Sequence, residues 1–189
     1  MYAPPSPAAQ YTLEPVSINA EYQPAIKPTD NKEKKGKAQP KLSVQDFIPK
    51  LISHASYANQ LYTQAHLIHL NYEAINFFEI HKFLRKQYEM HLEQFDTLSE
   101  FARSMDYMMP MCACGLRDAY PNFNNVISYD GKAMLVTYLK NLEDYGIKSK
   151  DLGVAARMAE APDIENYSAD LVRDSFRSAW FIKASLRKV

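Results

Sequence analysis

The chain has 189 residues, 47% of them hydrophobic, which suits one domain with a sizeable core and excludes a chain disordered throughout. Its 22 Lys and Arg balance its 22 Asp and Glu, and zero net charge argues against a uniformly basic nucleic-acid binder. Five glycines disfavour a turn-rich all-β fold or a glycine-rich phosphate loop, and two cysteines, Cys112 and Cys114, exclude a disulfide-stapled secreted domain.

The N-terminal stretch MYAPPSPAAQYTLEP has no basic start and no apolar run, and no segment reaches the ~20 apolar residues of a transmembrane helix. A soluble, reducing, cytoplasmic setting is expected. Seven of eleven prolines fall in residues 1–40, where apolar residues show no period. Proline fixes φ and removes a backbone donor, so residues 1–42 read as an extended tail. Lys27, Lys32, Lys34, Lys35, Lys37 and Lys41 crowd into fifteen residues of it, against Asp30 and Glu33. Neutrality is therefore the sum of a basic tail and a slightly acidic body over residues 43–189. Such a lysine cluster reads either as a solvated linker or as a phosphate-binding arm without base specificity.

The body reads as four helices. Ser43, with Asp46 three residues on, marks a helix start, and Leu51, Ile52, Ala55, Ala58, Leu61, Tyr62, Ala65 and Ile68 carry three-and-four spacing to about Asn71. A second helix is expected from about Asn76 to Met109, ended by Pro110. Residues 110–130 hold two prolines, a glycine and three asparagines, so they read as a long connection with room for one short helix. A third helix is expected from Gly131 to Ala161, weakened at Gly146 and Gly153, and a fourth from Asp163 to Leu186 after Pro162. The fold class is all-α, a four-helix bundle with a long connection between helices two and three.

Chemistry concentrates in residues 69–100. His69 closes helix one and His81 opens helix two, while Asp96 and Glu100 are four apart and share one face. Two imidazoles and two carboxylates suit Fe(II), Mn(II) or Zn(II). His81 and Asp96 are 15 residues apart on one helix, roughly 22 Å at ~1.5 Å per residue. They cannot hold one ion within one chain, so a shared site needs histidines from one subunit and carboxylates from another. His66 and His91 are further nitrogen donors, each more simply read as surface or core histidine. Met105, Met108, Met109, Met111, Cys112 and Cys114 offer soft donors for Cu(I), but methionines at helical spacing are more simply core filling.

The segment resembles the signature of the Dps family, the DNA-protection-during-starvation proteins or mini-ferritins. His69, Asn71, Asn76, Phe77, Phe78, His81, Asp96 and Glu100 stand at the family spacing without a gap, and Ala179–Leu186 resembles its last helix. The likeness spans about residues 45–188. It implies a ferritin-like four-helix subunit in a hollow dodecamer. In that assembly His69 and His81 of one subunit, with Asp96 and Glu100 of its neighbour, would bind iron at a two-fold interface. Fe(II) would be oxidised, typically by hydrogen peroxide, and stored as ferric mineral, a ferroxidase activity. Lysine-rich tails in the family bind DNA, which implies nucleoid association here. The chain departs from the pattern at Leu70, Ala74, Phe101 and above all Arg85, a usually acidic position. The alternative is a Dps-like cage or DNA-binding particle with a weakened or inactive site. A larger ferritin is disfavoured because no histidine has a glutamate three residues before it.

Overall fold

The computed structural model describes residues 41–187, and among them there are five helices and no strand. They are α1 (Val44–Asn71), α2 (Phe77–Ser104), α3 (Ala113–Ala119), α4 (Gly131–Met158) and α5 (Pro162–Leu186). The four long helices form the expected all-α bundle, and α3 is the short helix of the connection. Of the tail expected over residues 1–42, only Lys41 and Leu42 fall among the described residues.

Ser43 caps α1 as its spacing predicts, its Oγ accepting from the Asp46 backbone N–H. Pro49 is accommodated inside α1 without moving its start. Residues 72–76 then turn the chain, and α2 runs back along α1. Two helix ends differ from the sequence reading. α2 stops at Ser104, not at Pro110. Asp106 takes a left-handed φ of 68°, the Tyr107 N–H bonds the Ala102 carbonyl and the Asp106 N–H bonds that of Arg103. This is a Schellman closure built on a non-glycine residue. α4 ends the same way at Met158, with Glu160 at φ 58° and the Ala161 N–H on the Ala156 carbonyl. Pro162 therefore starts α5 at its first turn, where a missing N–H costs nothing, and does not break α4.

Gly131 opens α4 against Tyr72, so α4 begins at the α1–α2 turn. Contacts of α1 with α4 then run antiparallel, from Gln64–Asn141 to His54–Ser149. The connection between α2 and α4 consequently runs the length of the bundle. Gly146 permits close approach of α5, since a Cβ there would lie 3.0 Å from the Phe176 ring.

The core is more polar than the apolar pattern suggested. Phe47, Leu51, Leu61, Leu84, Leu98 and Leu142 fill it, but so do Tyr57, Tyr138, Tyr145, His54 and His91. On α2 the buried stripe is Ile80, Leu84, Gln87, His91, Gln94, Leu98 and Ala102. Leu92, although apolar, is exposed on the same helix.

The cysteines are a further finding. Cys112 and Cys114 are joined as a disulfide, on the exposed approach to α3. A pair two residues apart closes too small a loop to staple a fold, so the exclusion of a disulfide-built domain stands. As a disulfide they are not thiolate donors; Met105 and Met109 pack on the core, as core filling requires, whereas Met108 and Met111 are exposed.

Candidate metal centre

The turn between α1 and α2 brings His69 and His81 into direct contact. Their rings stack with centroids 3.7 Å apart and 22° between planes. His69 Nδ1 lies 2.9 Å from the His81 carbonyl oxygen, and His81 Nδ1 lies 3.1 Å from the His69 carbonyl oxygen. A carbonyl only accepts, so both Nδ1 atoms carry the proton. In the neutral rings both Nε2 atoms are left with a lone pair, and among the described residues neither takes a hydrogen bond. The bond to each Nδ1 thus fixes the tautomer that a metal requires.

Burial holds the His69 imidazole below its ordinary pKa. The His81 carbonyl opposes that, and the neighbouring His81, His66 and Arg85 lower it further. The ring therefore keeps its lone pair at neutral pH. Around the pair stand Tyr88, edge-on to His69 at 5.4 Å, Phe77 at 4.9 Å from His81, and His66, its ring tilted by 33° to Tyr88 at 4.4 Å.

Asp96 and Glu100 share an exposed face of α2 with Leu92, as their spacing predicts. They lie well down the helix from His81, and among the described residues neither forms an ion pair. No three His, Cys, Asp or Glu side chains converge within the described part of one chain. The four candidates thus form two pairs, one nitrogen and one oxygen.

Arg85 sits one turn beyond His81. Its guanidinium bonds Glu89 at 2.9 Å, and both side chains are largely exposed.

His91 is a core residue. It is fully buried, with Nδ1 2.9 Å from Gln94 Oε1 and Nε2 2.8 Å from the Tyr138 hydroxyl. Burial pushes its pKa down to about 4, and burial with the Lys148 charge pushes that of His54 down to about 3. Both would titrate near 6.5 in the unfolded chain. The unfolded state then binds more protons in between, so stability is full above about pH 6.5 and is lost as pH falls towards 4 and 3. Urea unfolding measured against pH should show a slope approaching two protons in that window. His91→Gln should remove about one of the two.

Of the candidate DNA-binding lysines, Lys27, Lys32, Lys34, Lys35 and Lys37 lie outside the described residues. Lys41 is exposed and pairs with Glu160 at 2.6 Å, beside the Leu42 N–H bond to the Met158 carbonyl. No helix among the described residues is long and apolar enough to cross a membrane.

Residues 48–189 match the family model of the ferritin-like domain. The fold matches solved structures of Dps proteins. One from Thermosynechococcus elongatus aligns with a TM-score of 0.73 at 16% identity, over 77% of this chain and 92% of that one. One from Staphylococcus aureus gives 0.73 at 16%, over 78% and 99%. A Dps protein from Vibrio cholerae, described as a member of a broad superfamily of ferritin-like diiron-carboxylate proteins, gives 0.70 at 16%, over 80% and 100%. No curated protein matches the sequence. At these identities the structural likeness speaks for the fold.

Proposed function

The chain belongs to the ferritin-like family, and from that premise we propose that it is a Dps-like iron-handling cage protein. Its subunits assemble into a hollow homo-oligomer, a dodecamer as in the family it resembles. At each two-fold interface His69 and His81 of one subunit and the partner subunit's Asp96 and Glu100 bind Fe(II). Iron is substrate and cargo here. It is oxidised, with hydrogen peroxide as the favoured oxidant, and stored inside as ferric mineral. Zn(II) or Mn(II) would suit the same donors.

The observation that carries this reading is the reciprocal His69–His81 bonding, which leaves two Nε2 donors preset at one end of the bundle. The exposed apolar residues Leu67, Leu70, Ile75 and Phe78 beside that pair support a face covered in an assembly. The separation of the nitrogen pair from the carboxylate pair calls for two chains. The residues fit iron in donor type, with Arg85 as the one discordant charge.

Anaerobic titration of the assembled protein with Fe(II), followed by peroxide, tests the reading. A ferric absorbance well above that of a protein-free control is expected. An intact cage giving no more than the control would sink it.

Arg85 favours a second reading, a cage with a weakened site, because its charge acts on His69. In either case the lysine tail would give the particle sequence-independent affinity for DNA, multiplied by the copies in the assembly, and hence a cytoplasmic, nucleoid-associated location. Replacing Lys27, Lys32, Lys34, Lys35, Lys37 and Lys41 with Gln should abolish gel retardation of long duplex DNA at low salt. Retardation that persists unchanged excludes the tail as the DNA-binding element.

A further inference from the structure

The methionine- and cysteine-rich stretch before α3 has no part in the proposed iron site, and packing does not account for it. Met108 and Met111 are 67% and 91% exposed, although methionine ordinarily fills cores. Cys112 and Cys114 are exposed as well, and their Cα atoms lie 5.4 Å apart across the disulfide. A bond between residues so close in sequence removes too little chain entropy to hold the fold. Four sulfur side chains thus stand at the surface within seven residues without a structural task.

The loop that carries them is folded back on itself. A Cβ on Gly115 would lie 3.0 Å from the Pro110 Cβ and 3.6 Å from Cys112 Sγ, so a side chain there would push the loop open. The Gly115 N–H donates to Cys112 Sγ at 3.2 Å. A thiolate at Cys112 would take the same bond more strongly, because a charged acceptor strengthens a hydrogen bond. Ser56 donates to the Leu116 carbonyl and Gln60 to that of Tyr120, which ties α3 to α1 and gives the loop a fixed base. The Met108 thioether is engaged by Arg103 Nη1 at 2.9 Å, which leaves Met111, next to Cys112, as the thioether in play.

We propose that Cys112 and Cys114, once reduced, bind Cu(I) as a pair of thiolates with Met111 as third donor. Reduction comes first. A soluble dithiol attacks the disulfide, passes two electrons and two protons to the cysteines, and closes as a disulfide of its own. Cu(I) then replaces both thiol protons, which leave to solvent, and no electron moves in that step. The donor set selects the metal. Thiolate and thioether sulfurs are soft and suit Cu(I), which needs only two or three of them. Zn(II) asks for four ligands, and among the described residues no three His, Cys, Asp or Glu side chains converge. The oxidised pair offers no thiolate, so the site exists only in the reduced protein. It is separate from His69 and His81 and does not depend on iron binding there.

The test uses the full assembled protein. It is reduced with dithiothreitol, freed of that reductant under nitrogen, and titrated against the coloured Cu(I)–bicinchoninate complex. The reduced protein should withdraw one Cu(I) per subunit from the complex, and the disulfide-bonded protein none. That comparison uses one unaltered chain, so it stands even if a variant fails to assemble. Cys112→Ser combined with Cys114→Ser should abolish the uptake and leave the thermal melt unchanged, because both side chains lie at the surface. Met111→Leu should weaken binding by about tenfold, the lower end of what disturbing a ligand shell costs. A reduced protein that takes no Cu(I) overturns the proposal. Equal uptake by the oxidised protein, or uptake that survives in the double serine variant, places copper on the histidines and overturns it too. Unchanged affinity in Met111→Leu strikes the thioether from the site.

Discussion

Replacing His69 or His81 with alanine should lower Fe(II) affinity by about 100-fold or more, since changes at groups that merely support ligands already cost 10–100-fold. Each substitution removes one Nε2 donor and also breaks half of the reciprocal bonding. Without the His81 ring, the His69 carbonyl loses its donor. Without the His69 ring, His81 is no longer stacked and its own carbonyl loses its donor. The stability cost is small by comparison, about 1 kcal/mol for a lost hydrogen bond of this type. Isothermal titration with Fe(II) under anaerobic conditions, beside a thermal melt, separates the two effects. Loss of iron binding with the melt nearly unchanged is the expected pattern. Iron binding that survives both substitutions would remove the histidines from the site.

The second large effect is expected at Arg85. Arg85→Glu exchanges a cation for an anion one turn from His81 and restores the charge usual for the family resembled. An opposite charge within ~4–6 Å of an ionic group shifts its equilibrium by one to three powers of ten. Fe(II) affinity should therefore rise roughly tenfold or more, and the initial rate of iron oxidation with it, since solvent screens the exposed side chain only in part. The effect should shrink as salt is raised. The His69 pKa, followed by NMR, should rise in the same variant, because one of the charges that lowers it has been inverted. Equal affinity in the two proteins would mean that Arg85 swings clear of the iron and that its charge is not what distinguishes this site.

Much of this was readable in the sequence, for reasons that can be named. Three-and-four spacing identifies a helix because core burial imposes it, and Ser43–Asp46 marks a start because the cap is local. His69 and His81 could be paired by number alone, since a short turn between two helices returns the chain on itself. The carboxylate pair could be excluded from the same ion within one chain by the rise of a helix alone.

What was missed depended on long-range contact or on an uncommon backbone choice. Nothing in Asp106 or Glu160 announces a left-handed residue, so the ends of α2 and α4 were placed too late. The prolines, being the visible breakers, took the credit. The polar core was missed because Gln87, His91 and Gln94 are not apolar. A signal was present all the same, since they fall in register with Leu84 and Leu98. The reciprocal histidine bonds were out of reach, because they depend on how α1 and α2 settle against each other.

The central claim concerns two chains, and anomalous diffraction from an iron-soaked crystal of the assembled protein tests it most directly. Iron peaks should lie at the two-fold interface, against Nε2 of His69 and His81 on one side and the partner subunit's Asp96 and Glu100 on the other. Well-occupied iron elsewhere, with that position empty and both histidines still bonded only to each other's backbone, would contradict it.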